Sequence, residues 1–116
     1  MIAVDTNLMV YAHRVDSEWH EPAFETLRDL AEGTLPWGIP WPCVHEFFAI
    51  VTHPRIYTPP SRPEEAVQQV DAWLDCPTAV TLGEGVNHWA RLNELVMAGR
   101  VRGPLIHDAR IAAICM

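Results

Sequence analysis

Three acidic residues stand apart from the rest of this sequence because of their neighbours. Asp5 closes the short apolar run Met1-Ile2-Ala3-Val4. Glu46 interrupts the apolar stretch from Val44 to Val51. Asp108 lies in Leu105-Ile106-His107-Asp108-Ala109-Arg110-Ile111-Ala112-Ala113, near the start of an apolar helix. The remaining acids, such as Glu25, Asp29, Glu64, Glu65 and Asp71, fall on ordinary polar faces. An ionised carboxylate near a core is unfavourable unless it is paired or holds a metal. Each acid has a plain structural explanation: Asp5 as a turn or cap, Glu46 paired with an Arg, Asp108 serving the positive end of its own helix. Together the three point elsewhere. Carboxylates converging on one point repel, and a divalent cation is the simplest way to hold them. Hard oxygen ligands favour Mg²⁺ or Mn²⁺.

Other chemistries find less support. The sequence has no P-loop, no GxGxxG and no GxSxG, and Asp5-Thr6-Asn7 lacks the second Asp of a phosphotransferring D-x-D site. Cys43, Cys76 and Cys115 are three, far apart and without a CxxC; Cys43 with His45 is a single pair, a weak zinc signal. Reduced thiols are expected. His45 and His107 flank two of the acids and suit supporting roles, whereas His13, His20, His53 and His88 read as surface or packing residues. The five Trp residues read most simply as core and rim, with a stacking platform for bases as the lesser alternative.

The elements that must position these groups follow from periodicity and punctuation. Met1 to Val4, apolar without alternation, predicts a strand buried on both faces, as in a parallel sheet. Thr6 and Asn7 are good helix caps, and Leu8, Tyr11, Ala12 and Val15 recur at helical spacing. Asp5 would then sit just past the carboxyl end of a strand, where open α/β sheets place their sites. A second helix starts near Glu21, with Phe24, Leu27 and Ala31 as its apolar face, and ends at Gly33. Residues 38–41 suit a short strand. Pro42 opens a third helix with Val44, Phe47, Phe48 and Val51 as its stripe, closed by Pro54. Ser61 and Glu64 have capping-box spacing for a fourth helix lined by Ala66, Val70 and Trp73. Residues 78–82 read as a third strand. A fifth helix runs from about Gly85 to Ala98, with Trp89, Leu92 and Val96 inward and Gly99 as its stop. A sixth runs from Leu105 onward. Strands alternating with helices imply crossovers and a mainly parallel sheet.

With 116 residues, the chain is expected to form one domain, 1–116, able to bury a real core. Its formal charge is −7 and its cations are all Arg. That excludes a general nucleic-acid coat but leaves room for binding through a metal and a few local Arg residues. No apolar run is long enough for a bilayer and no leader is visible, so a cytoplasmic protein without membrane contact is expected.

The strand running into Asp5-Thr6-Asn7, then Glu46 in an apolar helix, then His107 to Ala113, resembles the PIN domain. The segments Trp41-Pro42-Cys43-Val44-His45-Glu46-Phe47 and Thr52-His53-Pro54-Arg55 narrow the resemblance to the VapC-type toxins of bacterial toxin–antitoxin pairs. It runs without a gap from Met1 to Met116. It implies a PIN-like three-layer α/β/α fold with a short, mainly parallel central sheet. It also implies a Mg²⁺- or Mn²⁺-dependent endoribonuclease that hydrolyses RNA phosphodiesters, is dimeric and is inhibited by a cognate antitoxin. The family's acidic positions map onto Asp5, Glu46 and Asp108, with Asp5 and Asp108 binding the metal directly and Glu46 through water or at a weaker second position. Its first-motif polar residue maps onto Asn7, with Thr6 beside it and His107 as a further accessory group. The family pattern continues into another strand ending in a further Asp, beyond the residues present. The expectation is therefore a C-terminally short domain with Met1 to Val4 as a sheet edge, and the rival reading is a PIN-like protein that binds antitoxin or RNA without cutting.

Overall fold

A computed structural model describes residues 1–116. The elements are β1 (Ile2–Ala3), α1 (Thr6–His13), α2 (His20–Glu32), β2 (Trp37–Pro40), α3 (Trp41–Val51), α4 (Pro63–Leu74), β3 (Ala79–Leu82), α5 (His88–Gly99) and α6 (Leu105–Cys115). The class is α/β, with one short sheet in the order β1-β2-β3. No helix is long and apolar enough to cross a membrane. The chain divides into two compact units, Met1–Thr81 and Leu82–Met116.

In the first unit, β1 pairs with β2 in parallel, Ile2 opposite Trp37 and Ala3 opposite Gly38, and the Val4 N–H extends the ladder to Gly38 O at 2.9 Å. β1 is a sheet edge, as expected. The expectation that Met1 to Val4 is buried on both faces is corrected: Val4 is buried, but Met1 and Ile2 are exposed, because β1 has a neighbour on one side only. β2 is buried along its whole length. Its Trp37 lends its main-chain N–H to Thr78 O at 3.0 Å and its indole N–H to Thr78 Oγ1 at 3.0 Å, which ties in the start of β3.

Helix α1 packs against both α2 and α3. Two neighbours demand a wider apolar surface than one stripe, so Met9, Val10 and Ala12 are buried while Leu8 and Tyr11 are half-buried. In α2 the buried residues are Ala23 and Leu27. Phe24, expected on that face, is exposed and lies against the His20 ring, centroids 5.6 Å apart. β2 passes into α3 without a loop, with Pro40 as the cap and Pro42 in the first turn, where a missing N–H is harmless. Phe47, fully buried on α3, takes the His13 ring edge-on at 5.3 Å and the Trp73 ring at 5.1 Å. These contacts join α1, α3 and α4 around one core.

The cap of α4 differs from expectation by one residue. Arg62 is the cap, and its N–H is received by Glu65 Oε1 at 3.0 Å. Ser61 is instead buried and engaged by His13 and Arg14. In the second unit α5 and α6 pack on each other. Leu92 and Val96 of α5 are half-buried, but Trp89, expected inward, is exposed. The left-handed stop of α5 is Arg100 (φ 49°), one residue past Gly99.

Candidate active site

The two parallel strands β1 and β2 end side by side, and each leads into a helix. Extending the register carries Asp5 alongside Pro40, about 5 Å away across the sheet. The amino ends of α1 and α3 therefore emerge from the same edge of the sheet, each with main-chain N–H groups that lack an intrahelical acceptor.

Asp5 is the cap of α1. Its backbone is extended (φ −100°, ψ 172°) and its Oδ1 receives the Leu8 N–H at 2.8 Å. Thr6 and Asn7, expected as caps, are the first two residues of the helix instead. Asp5 thus fills the capping role by itself, which frees the Thr6 hydroxyl for another partner. That partner is Glu46: Thr6 Oγ1 donates to Glu46 Oε2 at 3.0 Å. Thr6 is buried and Glu46 exposed, so the bond runs from the packed α1–α3 seam to the surface. It fixes one carboxylate oxygen and leaves the other, Oε1, without a protein partner. Asp5 is in the same state, with Oδ1 engaged and Oδ2 open. Asn7 is exposed beside them.

Glu46 does not need a cation for the reason its sequence neighbours suggested. It interrupts an apolar run, but on a helix that run covers several faces, and Glu46 lies on the exposed one. Nor does it pair with an Arg. The ion pairs are Arg14–Asp16, Arg62–Glu65 and Arg110–Glu84, and none involves Asp5, Glu46 or Asp108. Asp108 stands in the second unit, exposed in the first turn of α6 with His107 exposed before it. Its side chain has no protein partner, and its place suits a favourable interaction with that helix end. His45 is exposed one residue before Glu46.

Within each unit no three His, Cys, Asp or Glu side chains gather into a ready cation site. The donors still suit a hard divalent ion. In the first unit two carboxylates, Asp5 and Glu46, each have one oxygen held by the protein and one open, and neither is in an ion pair. Mg²⁺ takes few protein oxygens and keeps several waters, so such a partial shell is compatible with it.

One feature was out of reach of sequence reasoning. The Thr6–Glu46 bond joins residues 40 positions apart, and nothing local announces it.

No family model matches the chain. Among curated proteins, a VapC ribonuclease of Mycobacterium bovis, Mb2897, is 37% identical over 116 residues, covering the whole chain and 79% of that protein. Ribonuclease VapC43 of Mycobacterium tuberculosis matches equally well, and ribonuclease VapC37 of the same species is 29% identical over 116 residues. Among solved structures, VapBC2 from Rickettsia felis, bound to a DNA fragment from its promoter, aligns with a TM-score of 0.62 at 19% identity. That alignment covers 99% of this chain and 80% of that one, and it supports the fold alone.

Proposed function

The chain belongs to the VapC ribonuclease family, and from that premise we propose that it is the toxin of a toxin–antitoxin pair, a Mg²⁺- or Mn²⁺-dependent endoribonuclease that hydrolyses RNA phosphodiester bonds. The observation that carries this reading is the Thr6–Glu46 bond beside the capping carboxylate of Asp5, with no Arg neutralising either acid.

Asp5 and Asp108 are the residues proposed to hold the cation, with Glu46 completing the set. When bound, the ion lowers the pKa of a water and offsets charge that builds up on the phosphate. The chain's own residues do the positioning. The Leu8 N–H holds Asp5 Oδ1 and leaves Oδ2 unbonded, and the Thr6 hydroxyl holds Glu46 Oε2 and leaves Oε1 unbonded. The amino ends of α1 and α3 supply N–H donors suited to a phosphate. No side-chain nucleophile is required.

A pair of unneutralised carboxylates, Asp5 and Glu46, is also suited to capture by a cationic side chain. A cognate antitoxin that inserts an Arg there would silence the site by a charge-assisted, two-pronged contact. This agrees with the solved relative, a VapB–VapC complex. The reading includes a homodimeric toxin, which light scattering on the purified chain checks.

Cleavage of RNA in Mn²⁺ and in EDTA, by wild type, Asp5→Asn and Asp108→Asn, tests the mechanism. Activity is expected only for wild type with metal. Cutting in EDTA, or by either variant at the wild-type rate, would sink it. Co-expression with the adjacent small gene, followed by pull-down, is expected to return a tight complex; recovery of free chain alone would count against the toxin assignment.

A further inference from the structure

We propose that Arg100 and Arg102, on the loop between α5 and α6, grip the RNA backbone by neutralising two of its phosphates. This rests on the ribonuclease reading and assigns the cationic contacts with which an otherwise acidic chain holds its substrate.

The acidity of the chain is unevenly spread. Met1–Thr81 carries twelve Asp and Glu against four Arg, a formal charge of −8. Leu82–Met116 carries three against four, a formal charge of +1. A polyanion is therefore disfavoured by the first unit and tolerated by the second. Three of the eight arginines are already held, Arg14 by Asp16, Arg62 by Glu65 and Arg110 by Glu84. The side chains of Arg28, Arg55, Arg91, Arg100 and Arg102 are in no ion pair. Arg28 shares α2 with Glu21, Glu25, Asp29 and Glu32, and Arg55 stands singly in a loop of the same acidic unit. Arg91 is half-buried in the first turn of α5. Arg100 and Arg102 are exposed, unpaired and close together in the unit without excess negative charge.

The backbone sets where the pair stands. Two residues apart, their Cα atoms are at most about 7 Å from each other, so one stretch of RNA can meet both. Pro104, two residues after Arg102, is the cap of α6, and Asp108 lies in the first turn of that helix. Chain length alone keeps the Cα atoms of Arg102 and Asp108 within about 13 Å. The loop thus carries two cations to the helix end that bears one of the proposed metal ligands. A guanidinium suits a phosphate there, because its fork of N–H groups matches two phosphate oxygens.

Arg100 also occupies a position that does not favour it. It ends α5 in the left-handed conformation (φ 49°, ψ 43°). Glycine commonly fills such a stop, since a Cβ is unfavourable in it. Gly99 stands one residue too early to take that place. An exposed arginine held there without a partner contributes little to the local structure, and backbone strain of this kind accompanies functional sites.

The test is the anisotropy of a labelled single-stranded RNA of mixed sequence, titrated with the full chain in EDTA at rising KCl. Each phosphate released from a single strand changes the slope of log affinity against log salt by about 0.7. Arg100→Gly and Arg102→Ala are each expected to flatten the slope by about that amount, and the double variant by about twice as much. Arg102→Lys should restore the slope, because it keeps the charge. Arg28→Ala and Arg55→Ala should leave it unchanged. Arg100→Gly should melt at or above the wild-type temperature, which separates lost binding from lost folding. In Mn²⁺ the double variant should show a KM for cutting raised several-fold. A double variant with the wild-type slope would overturn the proposal, and loss of antitoxin capture by that variant would then assign the loop to the protein partner. An equal flattening by Arg28→Ala would also overturn it, by showing that net charge alone is at work. RNA bound with the full arginine-dependent slope but cut by no preparation of wild type would instead overturn the ribonuclease reading and leave this assignment standing.

Discussion

The two ends of helix α1 are built in opposite ways. At its amino end, Asp5 and Thr6 use one hydrogen bond each and leave carboxylate oxygens of Asp5 and Glu46 open to solvent. At its carboxyl end, His13 and Arg14 are enclosed in a continuous network. Arg14, with a side chain only 11% exposed, grips Asp16 through Nε (2.9 Å) and Nη2 (2.7 Å). It also reaches Ser61 Oγ at 3.2 Å and Pro59 O at 3.0 Å, and lies 4.2 Å over the Tyr57 ring. A guanidinium can only donate, so the Ser61 hydroxyl passes its own proton toward His13 Nε2 (2.9 Å). His13 Nδ1–H in turn donates to Gln69 Oε1 (3.1 Å). Both ring nitrogens of His13 and the Arg14 guanidinium have partners, and the network pins α1 to α4 and to the loop before it. The contrast teaches a division of labour along one helix: saturation at one end fixes α1, and this permits unsatisfied acceptors at the other.

That division can be broken by substitution. The largest effect is expected from Glu46→Gln. It keeps an oxygen for Thr6 but loses the charge, so cleavage should fall about 100-fold or more while the melting temperature stays within a few degrees, since exposed sites rarely affect stability. A comparable fall in stability would show that Glu46 is a structural residue. The converse experiment is Ser61→Ala. It strands a donor of Arg14 and an acceptor of His13, and is expected to remove about 2 kcal/mol. Thermal unfolding should drop by roughly 5–10 °C, with cleavage at 25 °C retained. If activity were lost instead, the two ends would not be separable.

The comparison sharpens at Thr6. Thr6→Val preserves shape at a buried position but withdraws the donor from Glu46, and should slow cleavage by about tenfold or less. Thr6→Ser should restore it; failure to do so would assign the effect to packing rather than to the hydroxyl. The smallest effect concerns Asp16. Arg14, bonded to it, holds its carboxyl below the ordinary range. The stabilisation is then fully present above about pH 4 and lost as pH falls through the lowered folded-state value. Because Asp16 is half-exposed, the effect is small. Wild type should melt slightly above Asp16→Asn at pH 6, and the gap should close toward pH 3. A gap independent of pH would remove Arg14 as its cause.

Much of the fold could be read in the sequence, because helices and strands here are punctuated by proline and glycine and striped at their proper periods. All nine elements lie near where pattern placed them; the largest shift is at the start of the fifth helix, which begins at His88 rather than Gly85. The errors share one cause. Ser61 and Glu64 had the spacing of a cap, but the Ser61 hydroxyl is taken by His13 and Arg14, which are 48 and 47 residues away. Thr6 was chosen as a cap for its type, yet Asp5 competes for the same N–H and wins, and Thr6 turns to Glu46. Met1 to Val4 looked buried because strand periodicity carries no information about how many neighbours a strand has. Asp5 and Glu46 were legible as candidates from their apolar neighbours and motif, although Glu46 is exposed rather than buried. The bond from Thr6 to Glu46 was not, because its partners lie 40 positions apart in sequence.

Calorimetric titration of Mn²⁺ into the wild-type chain and into Asp5→Asn tests the central claim most directly, that the carboxylates at the amino end of α1 form a cation site. Saturable binding is predicted for wild type and none for Asp5→Asn, with both proteins giving the same far-ultraviolet circular dichroism. Equal binding by the two, or no binding by either, would contradict the account.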